Sequence, residues 1–256
     1  MRAPASELPV IAAVLLQRLR TQAPRVHCIT NAVAQVITAN ALLAVGAVPS
    51  MTIAPEEVSA FIERAGALLI NLGTLDAERR VASEAAISAA QGVNLPWVLD
   101  PVFVDRSPTR AAYAKALLAR KPSAIRLNSG EFLTLSGTVS EPEEIAKFAR
   151  ANGVTVGLTG ATDVISDGKR IAAIGNGDPL MQKVTALGCA ESALVAACLA
   201  VERDAWRACA AALLIFGVAG ELAGRRARGP GSFAVELLDE LHGLDRDALV
   251  ALARVS

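Results

Sequence analysis

Short apolar runs alternate with longer segments of helical periodicity along the first two thirds of the chain. The runs are apolar at successive positions and rich in β-branched residues, which is typical of strands buried on both faces. They lie at 26–29, 48–51, 68–71, 97–99, 125–127 and 154–158. Because each run is followed by a segment long enough for a helix, the pattern predicts an α/β fold with a mostly parallel sheet covered by helices on both sides.

Glycine and proline refine this picture. Asp167-Gly168 separates two apolar runs at 164–166 and 171–174, which predicts a hairpin that adds an antiparallel edge. After Met181 the pattern turns helical, and Gly229-Pro230 ends the last long helix and opens a shorter amphipathic one. The 256 residues contain no low-complexity linker and no internal repeat, so we expect a single domain over 1–256.

Two segments raise the question of a membrane. Residues 1–20 carry an apolar run flanked by Glu7 and Arg18, which predicts an amphipathic first helix and not a signal peptide. Residues 32–55 carry no charge and are long enough to cross a bilayer, but Gln35, Thr38 and Pro49 interrupt them. We expect a cytoplasmic protein without a membrane segment. Burial of this uncharged helix between subunits would explain its composition.

Composition narrows the class of partner. Lys and Arg together number 25, as do Asp and Glu, so no global positive field is available to hold nucleic acid. Aromatic residues make up only 4%, which disfavours a platform for stacking bases. The four cysteines form no C-x-x-C pair and the two histidines are not spaced with them as zinc ligands. We expect a small-molecule partner.

Polar residues follow several predicted strands, where parallel sheets bind their ligands. Asp100 precedes a proline and could serve Mg²⁺ or its waters, although a turn-forming role fits equally well. Asn128 and Glu131 have the spacing of a capping box. Arg126 lies inside an apolar run, where a cation needs an anion, either a nucleotide phosphate or a salt-bridge partner. Thr159 precedes Gly160 at the next strand end.

A further candidate site lies at 183–192, a turn that leads into an Ala-rich helix with Cys189 in its first turn. Free amides at a helix start favour an anion and stabilise a thiolate, which predicts a phosphate site beside a nucleophile or base. The alternative is a buried structural cysteine. Asn31 is a predicted N-cap of the uncharged helix. Neither a P-loop nor a G-x-G-x-x-G fingerprint follows any predicted strand.

Taken together, these segments resemble the hydroxyethylthiazole kinase family of the ribokinase-like superfamily. The resemblance runs over nearly the whole chain, at 27–31, 71–75, 99–102, 125–131, 158–163 and 177–181. It implies a ribokinase-like three-layer α/β/α fold and ATP-dependent phosphorylation of the primary alcohol of methyl-hydroxyethyl-thiazole in thiamine salvage. It also implies Mg²⁺ and a homotrimer with active sites between subunits, which would bury the uncharged helix.

Carried over residue by residue, the resemblance implies ATP-binding roles for Arg126 and Thr159 and a place for Gly188 in an anion hole. It implies that Asp100 and Glu131 lie around the Mg²⁺ and its waters.

On the acceptor side, the resemblance implies that Met51 and Ala186 contact the thiazole and that Asn31 joins this pocket from a neighbouring subunit. Cys189 falls where most related kinases carry an aspartate as the base for the substrate hydroxyl, and a cysteine there is similar to what this family shows.

Two departures from the family pattern leave alternatives open. The segment 103–106 is bulky where the family has a Gly-rich loop, and Ala186-Leu187 replaces smaller residues before Cys189. One alternative is a non-catalytic or altered-specificity ligand-binding protein. Another is an ATP-dependent dehydratase of the same fold, which should show a Gly-rich anion loop ending in Asp, a feature that this chain lacks.

Overall fold

Strands form at every predicted position. The computed structural model describes residues 5–256. The strands are β1 Arg25–Ile29, β2 Val48–Ser50, β3 Ala67–Asn71, β4 Trp97–Asp100, β5 Ala124–Asn128, β6 Thr155–Thr159, β7 Asp163–Ser166 and β8 Ile171–Ile174. They pair in one eight-stranded sheet in the order β2-β1-β3-β4-β5-β6-β7-β8.

Helices occupy the segments before, between and after the strands. They are α1 Leu8–Gln22, α2 Gln35–Ala44, α3 Pro55–Ile62, α4 Ala77–Gly92, α5 Pro108–Leu118, α6 Ser129–Ser136, α7 Pro142–Asn152, α8 Leu187–Val201, α9 Ala205–Arg226, α10 Pro230–Gly243 and α11 Arg246–Leu252. Short 3-10 helices cover Ala5–Glu7, Val104–Arg106 and Pro179–Lys183.

The sheet is parallel from β2 to β6. Strand β7 runs antiparallel to both β6 and β8, which confirms the predicted edge hairpin. Helices cover both faces of the sheet, and the buried apolar side chains form two separate cores. Helices α1, α2 and α8–α11 supply one core, and α3–α7 supply the other. The predicted three-layer α/β/α arrangement is therefore confirmed.

Local sequence signals fix many helix starts. A short polar side chain accepts a hydrogen bond from an amide of the first turn, which satisfies a donor that the helix cannot. Such caps are Asp76, Ser107, Asn128, Asp204 and Asp245. The capping box of Asn128 and Glu131 is present in full, as the spacing predicted.

The uncharged segment 32–55 is not one long helix, since α2 takes only ten residues of it and β2 follows. Helix α9 is the stretch that is long and apolar enough to cross a membrane, but 78% of its most apolar window is buried within the fold. Burial of this kind is also found in core helices of globular proteins. On α2, by contrast, the side chains of Val36 and Leu43 are 74% and 57% exposed.

Candidate functional site

The carboxyl ends of β1, β3, β4, β5 and β6 meet at one edge of the sheet, and α8 begins over the same edge. The strand register places Asn71 beside Asp100 and Asn128 beside Thr159. Because the strands are parallel, residues distant in sequence converge there.

A cavity of about 580 Å³ opens at this edge. Arg126, Thr159 and Gly188 line it, which brings together the two residues predicted to contact ATP and the predicted anion-hole glycine. Glu191 of α8 and Asp163 of β7 also line it. The volume falls in the range of pockets that hold small ligands and cofactors.

The start of α8 supplies backbone donors to the cavity wall. Ala186 precedes the helix with a left-handed φ of 65°, a conformation that costs an alanine more than a glycine. The first helical hydrogen bond runs from the Ala190 amide to the Ala186 carbonyl, at 3.1 Å. The amides of Leu187, Gly188 and Cys189 precede that bond, so they are the donors that a helix start offers to an anion.

Arg126 stands beside these amides. Its Nε and Nη2 lie 3.2 Å and 3.0 Å from Oε2 of Glu191, one turn further along α8 than Gly188. A Cβ at Gly188 would lie 2.8 Å from Cζ of Arg126, so the guanidinium rests directly on the glycine. Burial alone would lower the pKa of Arg126, but the carboxylates of Glu191, Asp100 and Glu131 raise it above its ordinary value. Of the two anions that the sequence left open for Arg126, a salt-bridge partner is therefore present.

Two carboxylates of the cavity wall, Asp163 and Glu191, hold protons more tightly than free ones. Burial raises the pKa of Asp163 to about 6, although the Gly160 amide donates to its Oδ1 at 2.9 Å. Burial, together with the charge of Asp163, raises the pKa of Glu191 to about 7 against the opposing effect of Arg126. Perturbed groups of this kind in a cleft are typical of functional sites.

A chain of buried hydrogen bonds links Cys189 to Asp100. Asn31 Nδ2 donates to Cys189 Sγ at 3.3 Å and to Asn71 Oδ1 at 3.0 Å. Asn71 Nδ2 donates to Asp100 Oδ2 at 2.6 Å, and the Ser192 hydroxyl donates to the same oxygen at 2.9 Å. The acceptor side and the metal side of the predicted site are thus held in one rigid network.

The charge state of Cys189 differs from the sequence-based expectation. Burial, followed by the nearby charge of Asp100, raises the pKa of the Cys189 thiol to about 11. The ligand-free protein therefore disfavours the expected thiolate, because the cost of burying the charge exceeds the help from Asn71, Asn31 and Arg126. The side chain is a thiol at neutral pH.

Asn31 lies beside Cys189 of its own chain. Its amide nitrogen donates to Asn71 and Cys189, and the residue is buried there. The expectation that Asn31 joins the thiazole pocket from a neighbouring subunit stays a prediction. Asn31 Oδ1 accepts from the Ala34 amide at 3.0 Å, so it caps the turn before α2 and not the first residue of the helix itself.

Asp100 and Glu131 have different capacities for a cation. Within the described residues, Asp100 Oδ1 is buried without a hydrogen-bond partner. Both Glu131 oxygens accept backbone amides, Oε1 from Phe103 and Oε2 from Asn128, at 3.0 Å and 2.9 Å. Across residues 5–256, no three His, Cys, Asp or Glu side chains are grouped as ligands of one metal ion. A cation here would complete its coordination with waters and phosphate oxygens, as Mg²⁺ commonly does.

Met51 and Ala186 lie outside the cavity wall, although Ala186 directly precedes the helix start that carries Gly188 and Cys189. Both are partly buried, and neither lines the cavity that holds Arg126. His27 holds the chain on both sides of Met51, because its Nδ1 lies 2.8 Å from Ser50 Oγ and its Nε2 lies 3.1 Å from the Thr52 carbonyl oxygen. Burial lowers the pKa of His27 to about 4, so this contact uses a neutral ring.

The sequence reasoning missed three residues of the site. Asn71 lies at a strand end, in the segment 71–75 that carries the family resemblance, but its local sequence does not indicate a role. Ser192 and Glu191 fall in the cysteine-bearing helix. Glu191 had a usable signal, because it is the single charge in α8, and a lone charge in an apolar helix calls for a partner.

The comparisons with known proteins agree with this geometry. The chain superimposes on a ribokinase-like superfamily protein from Enterococcus faecalis with a TM-score of 0.69 at 15% identity, over 89% of each chain. The sheet order, the layers and the site at the carboxyl edge therefore define a protein of the ribokinase-like fold.

The match to one family within that fold is more specific. Residues 16–247 match the hydroxyethylthiazole kinase family, and the chain belongs to this family. It is 44% identical over 246 residues to a hydroxyethylthiazole kinase from Serratia proteamaculans, covering 91% of this chain and 93% of that protein. It is similar, with a TM-score of 0.92 and 37% identity, to the structure of a hydroxyethylthiazole kinase protein from Pyrococcus horikoshii, over 96% and 98% of the two chains.

Proposed function

We propose that this protein transfers the γ-phosphoryl group of ATP to the primary alcohol of methyl-hydroxyethyl-thiazole, as thiamine salvage requires. One observation carries the proposal. The guanidinium of Arg126 rests on Gly188 beside the unpaired amides that begin α8, and Cys189 occupies the same turn. A cation and convergent amides in one cavity are what a transferred phosphoryl group needs.

The reaction follows from this placement. ATP occupies the cavity, with Thr159 and Arg126 on its wall and the Gly188 amide facing the phosphates. The hydroxyl oxygen of the acceptor forms a bond to the γ-phosphorus while the bond to the β,γ-bridging oxygen breaks. In the loose transition state, negative charge stays on the transferred oxygens, so the amides and Arg126 stabilise it directly.

Cys189 lies where the acceptor hydroxyl arrives, and we assign it the proton that leaves this hydroxyl. It can take this proton only as a thiolate, and because burial raises the pKa of the thiol to about 11, the thiolate is a minor form at neutral pH. Proton loss is late in a loose transition state, so a small thiolate fraction suffices and the main contribution of Cys189 is to orient the hydroxyl.

The donor set at the sheet edge fits Mg²⁺. Within the described residues Asp100 Oδ1 is buried and has no hydrogen-bond partner, so the cost of its burial is not compensated. A bound cation would compensate that cost. Glu131 is 3% exposed and would act through a metal-bound water, because its oxygens already accept amides. The ion would neutralise charge on the β- and γ-phosphates. Asp100 and Glu131 would hold it.

A homotrimer belongs to the same proposal. Val36, Asn40 and Leu43 are spaced to share a face of α2, and all three are exposed. An exposed apolar helix face rarely stays in contact with water. We assign this face to contacts between subunits, where Met51 and Ala186 would complete the thiazole pocket near the boundary.

A cytoplasmic location is also part of the proposal. Cys28, Cys189, Cys198 and Cys209 are free and buried, as is usual in a reducing compartment.

The test is turnover by the purified protein. ATP, Mg²⁺ and the thiazole alcohol are mixed with it, and ADP release and the mass of the product are followed. We expect ADP to form only with the alcohol present, and one phosphate to be added to it. Thermal stabilisation by the alcohol without turnover would instead support the non-catalytic alternative.

A further inference from the structure

Glu191 is a buried carboxylate that the proposed mechanism does not use. It is 5% exposed, and the groups that face it are Arg126 of β5, Asp163 of β7 and Cys209 of α9. Burying a carboxylate in a core helix is costly unless it serves a partner. Its partner, Arg126, is the cation of the phosphate site.

The geometry of this pair determines which part of the guanidinium is free. Nε and Nη2 of Arg126 both approach the same oxygen, Glu191 Oε2. Nη1, at the other end, is the nitrogen nearest to the position that a Cβ on Gly188 would take. One edge of the fork is therefore occupied, and the opposite end lies against Gly188 at the start of α8.

Gly188 and Glu191 are three residues apart on α8, so they share one face of the helix. The backbone donors and the side chain that holds the guanidinium thus belong to one rigid element. The cavity end of Arg126 and the Gly188 amide keep their relative positions without a bound ligand. Preorganised donors of this kind cost no rearrangement during the reaction.

We propose that Glu191 is a positioning residue: it fixes the guanidinium of Arg126 on Gly188 so that Nη1 and the α8 amides bind the transferred phosphoryl group together. This inference rests on the proposed function of the site. Glu191 acts through Arg126, and its effect is on nucleotide binding and phosphoryl transfer and not on the thiazole alcohol.

The experiment compares Glu191→Ala with Glu191→Gln. The alanine variant loses the acceptor for Nε and Nη2, so we expect KM for ATP to rise by about tenfold or more while KM for the thiazole alcohol is unchanged. The glutamine variant keeps an oxygen acceptor at the same place and is expected to recover most of the loss. Glu240→Ala is the matched control, because Glu240 is also buried and lies 2.7 Å from an arginine, Arg226, outside the cavity. It should leave both KM values unchanged.

A rescue experiment covers the case in which Glu191→Ala does not fold. Arg126→Ala leaves Glu191 in place, and added guanidinium ion is expected to restore part of the activity. The double variant Arg126→Ala with Glu191→Ala removes both charges together, which avoids an unpaired buried ion. We expect guanidinium to give it no activity.

Two results would overturn the inference: wild-type KM for ATP and wild-type kcat in Glu191→Ala, or equal guanidinium rescue in the single and double variants. Calorimetric binding of a non-hydrolysable ATP analogue separates this inference from the proposed function. If the wild-type protein binds the analogue but does not phosphorylate the alcohol, the proposed function fails while the effect of Glu191 on binding is still measured.

Discussion

Arg126 and Cys189 lie in the same small region, but we expect them to contribute unequally to catalysis. Arg126→Ala removes the cation beside the α8 amides, and loss of one such donor typically lowers kcat by about 100-fold or more. Asp100→Ala should be as severe, because it removes the oxygen that we assign to Mg²⁺. Cys189→Ala should lose only about tenfold, because only a small fraction of Cys189 is the proton-accepting thiolate at neutral pH. Steady-state kinetics of the three variants tests the order, and the reverse order would contradict the mechanism.

Asp100 makes stability depend on pH in a defined direction. Burial, partly opposed by Arg126, raises the pKa of its carboxyl from 3.8 to about 7. Between these values the folded protein holds a proton that the unfolded chain has lost. The free energy of unfolding from this group therefore falls as the pH rises towards 7.

Asp100→Asn removes this titration. Without Mg²⁺, we expect its melting temperature relative to wild type to be higher at about pH 8 than at about pH 5. The same variant should lose activity, since the amide cannot replace the charge. Wild-type activity should in turn fall as the pH drops through about 7, because a protonated Asp100 binds a cation poorly. A melting difference that does not change with pH would contradict this account.

At the residue scale, the sequence indicated which residues form the candidate site but not their charge states or their contacts. Asp100, Arg126 and Thr159 could be found because each is a polar residue within or at the end of an apolar run. Glu131 was marked by its capping-box spacing and Cys189 by the turn that precedes its helix. The raised thiol pKa and the Arg126 contact with Glu191 depend on burial and on distances across the fold. Neither quantity can be obtained from local spacing.

Glycines in helix α9 allow the chain segment that forms part of the cavity wall to approach the helix closely. The segment 175–183 lies against α9 at three glycines, Gly217, Gly220 and Gly224. A Cβ at Gly217 would lie 2.9 Å from the Asn176 carbonyl oxygen, and a Cβ at Gly220 would lie 2.6 Å from the sulfur of Met181. Asn176 and Met181 line the cavity, so the close approach sets its width.

We expect Gly217→Ala to raise KM for ATP by about tenfold, because the backbone of the 175–183 segment must move as a unit. Gly220→Ala should have a smaller effect, since the Met181 side chain is flexible. Gly231→Ala on α10 is the control, because nothing lies within 4 Å of its Cβ position. Enzyme kinetics at varied ATP checks the series, and equal KM values for all three variants would contradict the role of the wall.

The bounds of the strands were predicted more accurately than the charge states and contacts of individual side chains. The predicted strands 48–51, 97–99 and 154–158 each differ from β2, β4 and β6 by no more than one residue at either end. Buried parallel strands are continuous apolar runs, so their ends are marked by the first polar residue. The α8 start was located by its turn, but its left-handed Ala186 was not, because alanine gives no signal for positive φ.

At the scale of the whole molecule, the exposed face of α2 is the feature that the single chain leaves unexplained. Val36 and Leu43 on this face are 74% and 57% exposed, and Val33, just before the helix, is 59% exposed. We expect the wild-type protein, whose chain is 26.5 kDa, to elute as a trimer.

Val36→Glu places a charge in that contact, and we expect it to release smaller species and to lower activity. Val139→Glu is the control, since Val139 is 62% exposed in the loop between α6 and α7. Size-exclusion chromatography with light scattering measures the mass. An unchanged trimer in Val36→Glu would show that the interface does not include this face of α2. A monomeric wild-type protein would contradict the proposed trimer.

The most direct test of the account is a structure of the protein with a non-hydrolysable ATP analogue, Mg²⁺ and the thiazole alcohol. We predict that the γ-phosphate accepts hydrogen bonds from the Gly188 and Cys189 amides and from Nη1 of Arg126, with the alcohol oxygen beside Cys189 Sγ. A γ-phosphate bound elsewhere, or the side chain of Leu187 in its place, would contradict the assignment.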